Sequence, residues 1–447
     1  MRSRLTHILI PLLVILLFPT SCWTTEKAPT PTPTATVTPS PPPPTPTPLP
    51  DDATTGARIL HRGYLRVGVR YDLFPFGYIT DEGEVAGFGV DMGRELARRW
   101  LGDPQAVEFR QVRSDTAIEH LQAGDVDLVI AALVHTQERE AGADFGQPYF
   151  TDGHALLVRG PDAGLIDGPP ALQGRTVGVV AWEQTADVLR EAVPFTLTLQ
   201  TFDRFDAAVA ALGQGEVDAV ADLRHRLFWG QKLLLGSAIV GQFTSAPVSF
   251  AFPQNDPFFA DLVMLTFQEM VADGTFAAIY THWFARDDPP AVEIWPGDEV
   301  PALTETPLMR ETRDTIAAIE SRGYLRVAMP PDRSPFAYLD STGIPAGYEV
   351  GLVQRMAARW LGDVQAVQFV TTTIDTGREM LRSGQVDMLI GGLAHTRAAE
   401  LQQDFSLTTY IAGEGLLIWA GTPITDLHSL QGQQVAVVQG SGSGETL

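Results

Sequence analysis

Gly63-Tyr64-Leu65-Arg66-Val67 returns unchanged as Gly323-Tyr324-Leu325-Arg326-Val327, an offset of 260 residues (323 minus 63). The same offset carries Arg99-Trp100-Leu101-Gly102-Asp103 onto Arg359-Trp360-Leu361-Gly362-Asp363, and His135-Thr136 onto His395-Thr396, with no insertion between the matches. Stacked solenoid units repeat every 20 to 50 residues or so, and a period this long therefore means duplicated domains. The 447 residues are enough for them, because single cores stop growing near about 250 to 300 residues.

Within each copy, short apolar runs alternate with helical periodicity, the pattern of a mostly parallel sheet with helices on its faces. Leu65 to Val69 reads as a strand, and Met92, Leu96 and Trp100 form one stripe of a helix over Asp91 to Leu101. Leu128 to Leu133 is continuously apolar, as in a strand buried on both faces. Thr136 offers a hydroxyl cap to the helix that follows.

Arg2 and Arg4 precede an apolar run from Ile8 to Phe18, followed by Thr20 and Ser21. That is a secretory signal, too short for a span of about 20 apolar residues. The only cysteine, Cys22, stands directly after it, which favours a lipid-modified residue over a structural one. The segment resembles a bacterial lipoprotein signal, with Pro19 where those usually carry Leu. A lone cysteine permits no internal disulfide. The Thr/Pro alternation from Trp23 to Pro50 favours extended polyproline II geometry, a spacer of up to roughly 80 Å at ~3.1 Å per residue. The expected organisation is a signal at 1–22, a linker at 23–56, a first domain at 57–287, a Pro-rich acidic linker at 288–314 and an incomplete second domain at 315–447.

With 54 Asp and Glu against 31 Lys and Arg, the net charge of −23 repels phosphate backbones, which argues against nucleic acid as a partner. The His residues lack ligand spacing and no Gly-rich phosphate loop opens a helix, so neither a metal nor a cofactor is expected.

An ordered set of motifs carries a family resemblance. It comprises Gly63 to Gly68, Pro75-Phe76, Gly87 to Asp91, Leu121 to Asp127, Thr136 to Arg139, Phe145 to Tyr149, Leu172 to Gly174, Gly215 to Asp218 with Asp222, and Asp273 to Phe284. Together they resemble the extracytoplasmic amino-acid-binding proteins of ABC transporters, the family 3 solute-binding proteins with a type II periplasmic-binding fold. The resemblance implies an α/β fold of two hinged lobes, duplicated in tandem. Lobe 1 would take about 58–153 and 248–287, and lobe 2 about 154–247. Ala155 to Arg159 would cross outward and Val248 to Phe252 would return.

Arg139 matches the family's arginine that clamps the ligand α-carboxylate. Independently, a guanidinium in a helix's first turn sits beside free N–H groups and suits a planar anion, although such an arginine is otherwise a solvated surface residue. Asp222 falls where the family's carboxylate receives the ligand ammonium group; the alternative is a helix N-cap. Arg70 resembles the cation of acidic-amino-acid binders; the alternative is an exposed strand-end arginine. The usual stacking aromatic maps to Leu73 with Phe74 beside it, and the opposite face maps to Ser114. Val134 replaces a hydroxyl residue and would contribute through its backbone, next to Thr136. Trp182, Glu183 and Gln184 stand in place of the second-lobe anion loop. Glu183 would repel a carboxylate or act as an acid or base, or it is a first-turn residue favoured by the helix dipole.

The second copy has Ala399 at the place of Arg139, with Arg397 two residues earlier, and Pro330 and Arg333 in the pocket region. It keeps an anion loop at Gln439 to Gly442, expects a crossing strand near Leu416 to Trp419, and ends at Leu447 as a truncated unit. The expected function is capture of a small polar solute, an amino acid with acidic ones favoured, for delivery to an ABC transporter permease. The chain would be extracytoplasmic, lipid-anchored to a membrane, and without enzymatic activity. The alternatives are a sensing domain for a membrane partner and a dehydratase-like enzyme on the same fold.

Overall fold

The computed structural model describes residues 49–181, 185–284, 288–309, 314–413, 416–426 and 428–436. The signal segment, Cys22, the spacer up to Pro48, Glu183 with its two neighbours, and the loop at Gln439 to Gly442 lie outside the described residues.

Lobe 1 is built from α1 (Thr55–Arg62), β1 (Leu65–Val69), a small ladder of β2 (Asp72–Leu73), β3 (Gly77–Ile79) and β4 (Val85–Ala86), α2 (Phe88–Leu101), β5 (Val107–Gln111), α3 (Ala117–Gln122), β6 (Leu128–Val129), α4 (Gln137–Glu140) and β7 (Asp144–Asp152). Lobe 2 follows with β8 (His154–Arg159), β9 (Thr176–Val180), α5 (Thr185–Glu191), β10 (Thr198–Phe202), α6 (Phe205–Gln214), β11 (Ala219–Leu223), α7 (Arg224–Leu233) and β12 (Ser237–Val240). The chain then returns to lobe 1 through β13 (Ala246–Phe252), α8 (Pro257–Ala272) and α9 (Thr275–Phe284).

One sheet runs β5-β1-β6-β13-β7 and the other β10-β9-β11-β8-β12. β1 lies parallel to both β5 and β6, and its apolar residues are fully buried because helices cover both faces. Met92 and Leu96 of α2 are buried on that sheet, while Trp100 donates its indole N–H to Thr266 of α8 at 2.9 Å. The chain crosses between the lobes at Gly153, whose φ of 155° and 2.1 Å virtual Cβ contact with the Thr244 carbonyl leave room only for glycine. β6 is shorter than the apolar run suggests. Ile130 still donates to the Gly68 carbonyl at 2.9 Å, then Ala132 turns into the left-handed region at φ 53°, and Val134 meets β13 again at Val248.

One device recurs at the entry of a parallel strand pair in each sheet. The Asp127 carboxylate, just before β6, accepts the N–H of Arg66 at 2.7 Å and pairs with Arg62. Asp218, before β11, accepts the N–H of Thr176 at 2.9 Å in lobe 2. In the second copy, Asp387 accepts the N–H of Arg326 at 2.8 Å. The Val-Asp pair repeated in the sequence therefore pins one strand's entry to its neighbour.

The second copy rebuilds part of lobe 1: α10 (Thr315–Arg322), β14 (Leu325–Met329), a ladder of β15 (Asp332–Arg333), β16 (Ala337–Leu339) and β17 (Pro345–Ala346), α11 (Tyr348–Leu361), β18 (Val367–Thr371), α12 (Ile374–Arg382), β19 (Met388–Leu389) and α13 (Arg397–Glu400). Its sheet runs β18-β14-β19. The crossing strand expected at Leu416 to Trp419 is not formed, and Leu417 and Trp419 are exposed. Its counterpart β8 is held between β11 and β12, and the described residues of the second copy supply no such partners.

Residues 288–309, whose composition suggests a linker, form a strap with ordered contacts. The Gln147 side chain donates to the Glu293 carbonyl at 3.0 Å and accepts its N–H at 2.7 Å. Leu303 is buried in the lobe 1 core, and Trp295 stacks on His395 of the second copy with ring centroids 3.8 Å apart. Arg397 is buried beneath the strap, its N–H donating to the Pro296 carbonyl at 2.9 Å. At this junction Asp261 of α8 is pushed up to about 8, by burial first and then by Glu400 and Asp404 of the second copy. An acid with a native pKa above its unfolded value, about 4, holds a proton in the native state that the unfolded chain releases. Stability should therefore fall as pH rises from about 4 to about 8 and level off above that. Thermal unfolding of the chain across this range should show the decline, and Asp261→Asn should flatten it. An unchanged slope in the variant would remove Asp261 as the cause.

Candidate functional site

The Thr136 hydroxyl caps α4 by accepting the Arg139 N–H at 3.3 Å. This short turn directs the Arg139 side chain back along the preceding loop, where Nη1 donates to the Val134 carbonyl at 2.6 Å and Nη2 reaches the Ser114 carbonyl at 3.5 Å. Burial draws the Arg139 pKa downward, and among the described residues its guanidinium pairs with no carboxylate. Arg70, just past β1, donates from Nη1 to Ser114 Oγ at 3.1 Å. Ser114 thus joins two arginines that are far apart in sequence, one through its carbonyl and one through its hydroxyl. The other edge of the Arg70 fork is bound by Asp72, Nε to Oδ1 at 2.8 Å and Nη2 to Oδ2 at 3.0 Å, which holds Asp72 below the usual carboxylate range.

The loop carrying Val134 and Thr136 contains Ala132 at φ 53°, where an L-residue is disfavoured by about 1 kcal/mol or more. Its N–H donates to the Tyr149 hydroxyl at 3.2 Å, and Gly392 holds the equivalent place in the second copy at φ 63°. Strain of this kind is typical of loops that present backbone groups to a ligand.

Asp222 is the last but one residue of β11 in lobe 2 and is 1% exposed. Its carboxylate accepts the Leu223 N–H at 2.7 Å and lies 3.3 Å from Nη1 of Arg226. The N-cap position of α7 is Leu223 and no side chain caps it, so Asp222 is not the cap that the sequence left open. Arg226 was missed, although its spacing of four from Asp222 was a usable signal.

The Phe74 ring packs with protein neighbours: Tyr78 at 5.3 Å, Trp283 at 6.3 Å and, from lobe 2, Trp229 at 5.7 Å. Lys232 of α7 places Nζ 3.6 Å from its centroid in a cation–π contact. Elsewhere on α7, Arg224 donates to the Thr151 carbonyl at 3.0 Å, His225 pairs with Asp152 at 2.6 Å, and Phe228 packs on Phe284. This helix therefore fastens lobe 2 to lobe 1 beside the crossing strands.

In the second copy, Pro330, Ile374 and Ala399 stand where the first has Arg70, Ser114 and Arg139. Glu349 stands where the first has Gly89, and its Oε2 accepts the N–H groups of Gly391 at 2.6 Å and Gly392 at 2.9 Å. The equivalent loop is thus occupied by the copy's own carboxylate. His135 stacks on Phe145 and pairs with Glu140, and His395 repeats this with Phe405 and Glu400. Among the described residues no three His, Cys, Asp or Glu side chains gather to hold a metal.

Residues 65–286 and 325–438 each match the bacterial extracellular solute-binding proteins, family 3, and together they make up well over half of the chain. The chain is 35% identical to the glutamine-binding protein of Geobacillus stearothermophilus over 174 residues, 39% of this chain and 65% of that relative. It is 30% identical to the ABC transporter glutamine-binding protein GlnH of Bacillus subtilis over 223 residues, 49% of this chain and 81% of the relative. The glutamate-binding protein GluB of Corynebacterium glutamicum is 26% identical over 250 residues, 54% of this chain and 84% of the relative.

Proposed function

Since the chain belongs to the bacterial extracellular solute-binding proteins of family 3, we propose that its first copy captures an amino acid between the two lobes and delivers it to an ABC transporter permease without covalent chemistry. The observation that carries this reading is the convergence of Arg70 and Arg139 on Ser114. Arg139 receives the α-carboxylate, with the strained loop from Ala132 to Val134 beside it. Asp222 on the opposite lobe receives the ammonium group by turning from Arg226. Arg70 receives the distal group of the side chain, which favours acidic amino acids. Export by the N-terminal segment and a lipid on Cys22 would hold the molecule outside the cytoplasm, near its permease.

The second copy does not take part in capture, because apolar residues replace both cations and Glu349 holds the loop. Thermal-shift screening of the chain against amino acids and organic acids tests the proposal. Stabilisation by an acidic amino acid, growing with the logarithm of its concentration, is the expected result. Silence towards every amino acid, together with turnover of a cyclic acid, would overturn it in favour of an enzyme.

A further inference from the structure

Arg70 and Asp72 form a complete fork-to-carboxylate pair at the turn from β1 into β2 of lobe 1. Such two-point pairs fix both geometry and charge. The pair is uneven in exposure: the Arg70 side chain is 16% exposed and the Asp72 side chain 59%. Arg70 is therefore held inside by Ser114 as well as by Asp72, while the Asp72 side chain borders water and has no second partner of this kind among the described residues.

A structural role for the ion pair can be weighed inside the same molecule. The second copy forms the same ladder, with Asp332 facing Tyr338 as Asp72 faces Tyr78. It does so with Pro330 in place of Arg70. The turn does not need the ion pair, so the pairing belongs with the cation cluster of Arg70, Ser114 and Arg139 that the second copy lacks.

We propose that Asp72 is a specificity-determining residue of the first copy, a resident carboxylate that competes with the solute's distal group for Arg70. This rests on the amino-acid reading above. With Asp72 in place, the Arg70 charge is largely compensated, and Arg113 is the other cation acting on that carboxylate. A solute with a second carboxylate must displace Asp72 or lie beside a like charge. A solute with a neutral amide needs only one of the donors that Asp72 leaves unused. Asp72 therefore narrows the preference for acidic over amide side chains and keeps the site open to both. Discrimination often comes from such a repulsive element as much as from the attractive one.

The test uses the full chain and two nearly isosteric probes, L-glutamate and L-glutamine, in isothermal titration. Replacing Asp72 by Asn keeps size and polarity and removes the charge; Asp72→Ser is a second variant in case the first perturbs the loop. The ratio of the glutamine Kd to the glutamate Kd should rise about ten-fold or more in both variants. In Arg70→Met it should fall below the wild-type value, since no cation remains to favour the acid. A ratio within about two-fold of wild type in both Asp72 variants, with glutamate or glutamine still bound, would overturn this inference alone. Failure of the unaltered chain to bind any amino acid would instead overturn the capture reading, and this inference with it. A purely structural Asp72 would lower Tm and weaken both probes equally, leaving the ratio unmoved.

Discussion

Arg139→Ala should weaken solute binding by about a hundredfold or more, with little change in Tm. Each charge-assisted hydrogen bond contributes roughly 1.5–3 kcal/mol, and a guanidinium offers two to one carboxylate. Removing it also leaves the solute anion desolvated and unpaired, which adds to the loss. Stability should hold because among the described residues the side chain donates only to the Val134 and Ser114 carbonyls, which water can reach once the side chain is gone. Titration calorimetry with the best solute, alongside thermal unfolding, separates the two effects. An Arg139→Ala protein that binds within about three-fold of wild type would place the carboxylate elsewhere.

Asp127→Ala should cost stability on the scale of about 3 kcal/mol or more, the usual result of removing one partner of a buried ion pair. The Asp127 side chain is 4% exposed and that of Arg62 14%. Its loss strands the Arg62 charge and leaves the Arg66 N–H without its acceptor where β1 enters the sheet. Asp127→Asn retains an acceptor for that N–H and should lose less. Denaturant unfolding of the chain would record this as a lower midpoint. Equal midpoints for wild type and Asp127→Ala would show that the strand entry is pinned by packing alone.

Much of the fold was legible because its signals are local or repeated. The 260-residue offset marked the copies, the apolar runs marked β1 and its neighbours, and Thr136 marked the start of α4. The parts that were not legible depend on distant meetings. Nothing in the spacing of Arg70, Ser114 and Arg139 shows that one serine joins both cations, since only the parallel arrangement of β5, β1 and β6 brings their ends together. The strap read as a linker because its anchors, Trp295 and Leu303, are isolated in a Pro-rich acidic stretch. An isolated apolar residue carries no periodicity. Phe74 follows β2, and its ring meets Lys232 and Trp229 of lobe 2, partners too distant in sequence for any local spacing to announce. Glu349 was unreadable for a similar reason. Its partners, the N–H groups of Gly391 and Gly392, belong to a loop that lies one helix and two strands further along the chain.

The most direct test of the account is a crystal structure of the chain grown with L-glutamate. One glutamate should lie between the lobes of the first copy, its α-carboxylate on the Arg139 guanidinium and its ammonium group on Asp222, with the second copy empty. A solute bound in the second copy, or lying away from Arg139, would contradict it.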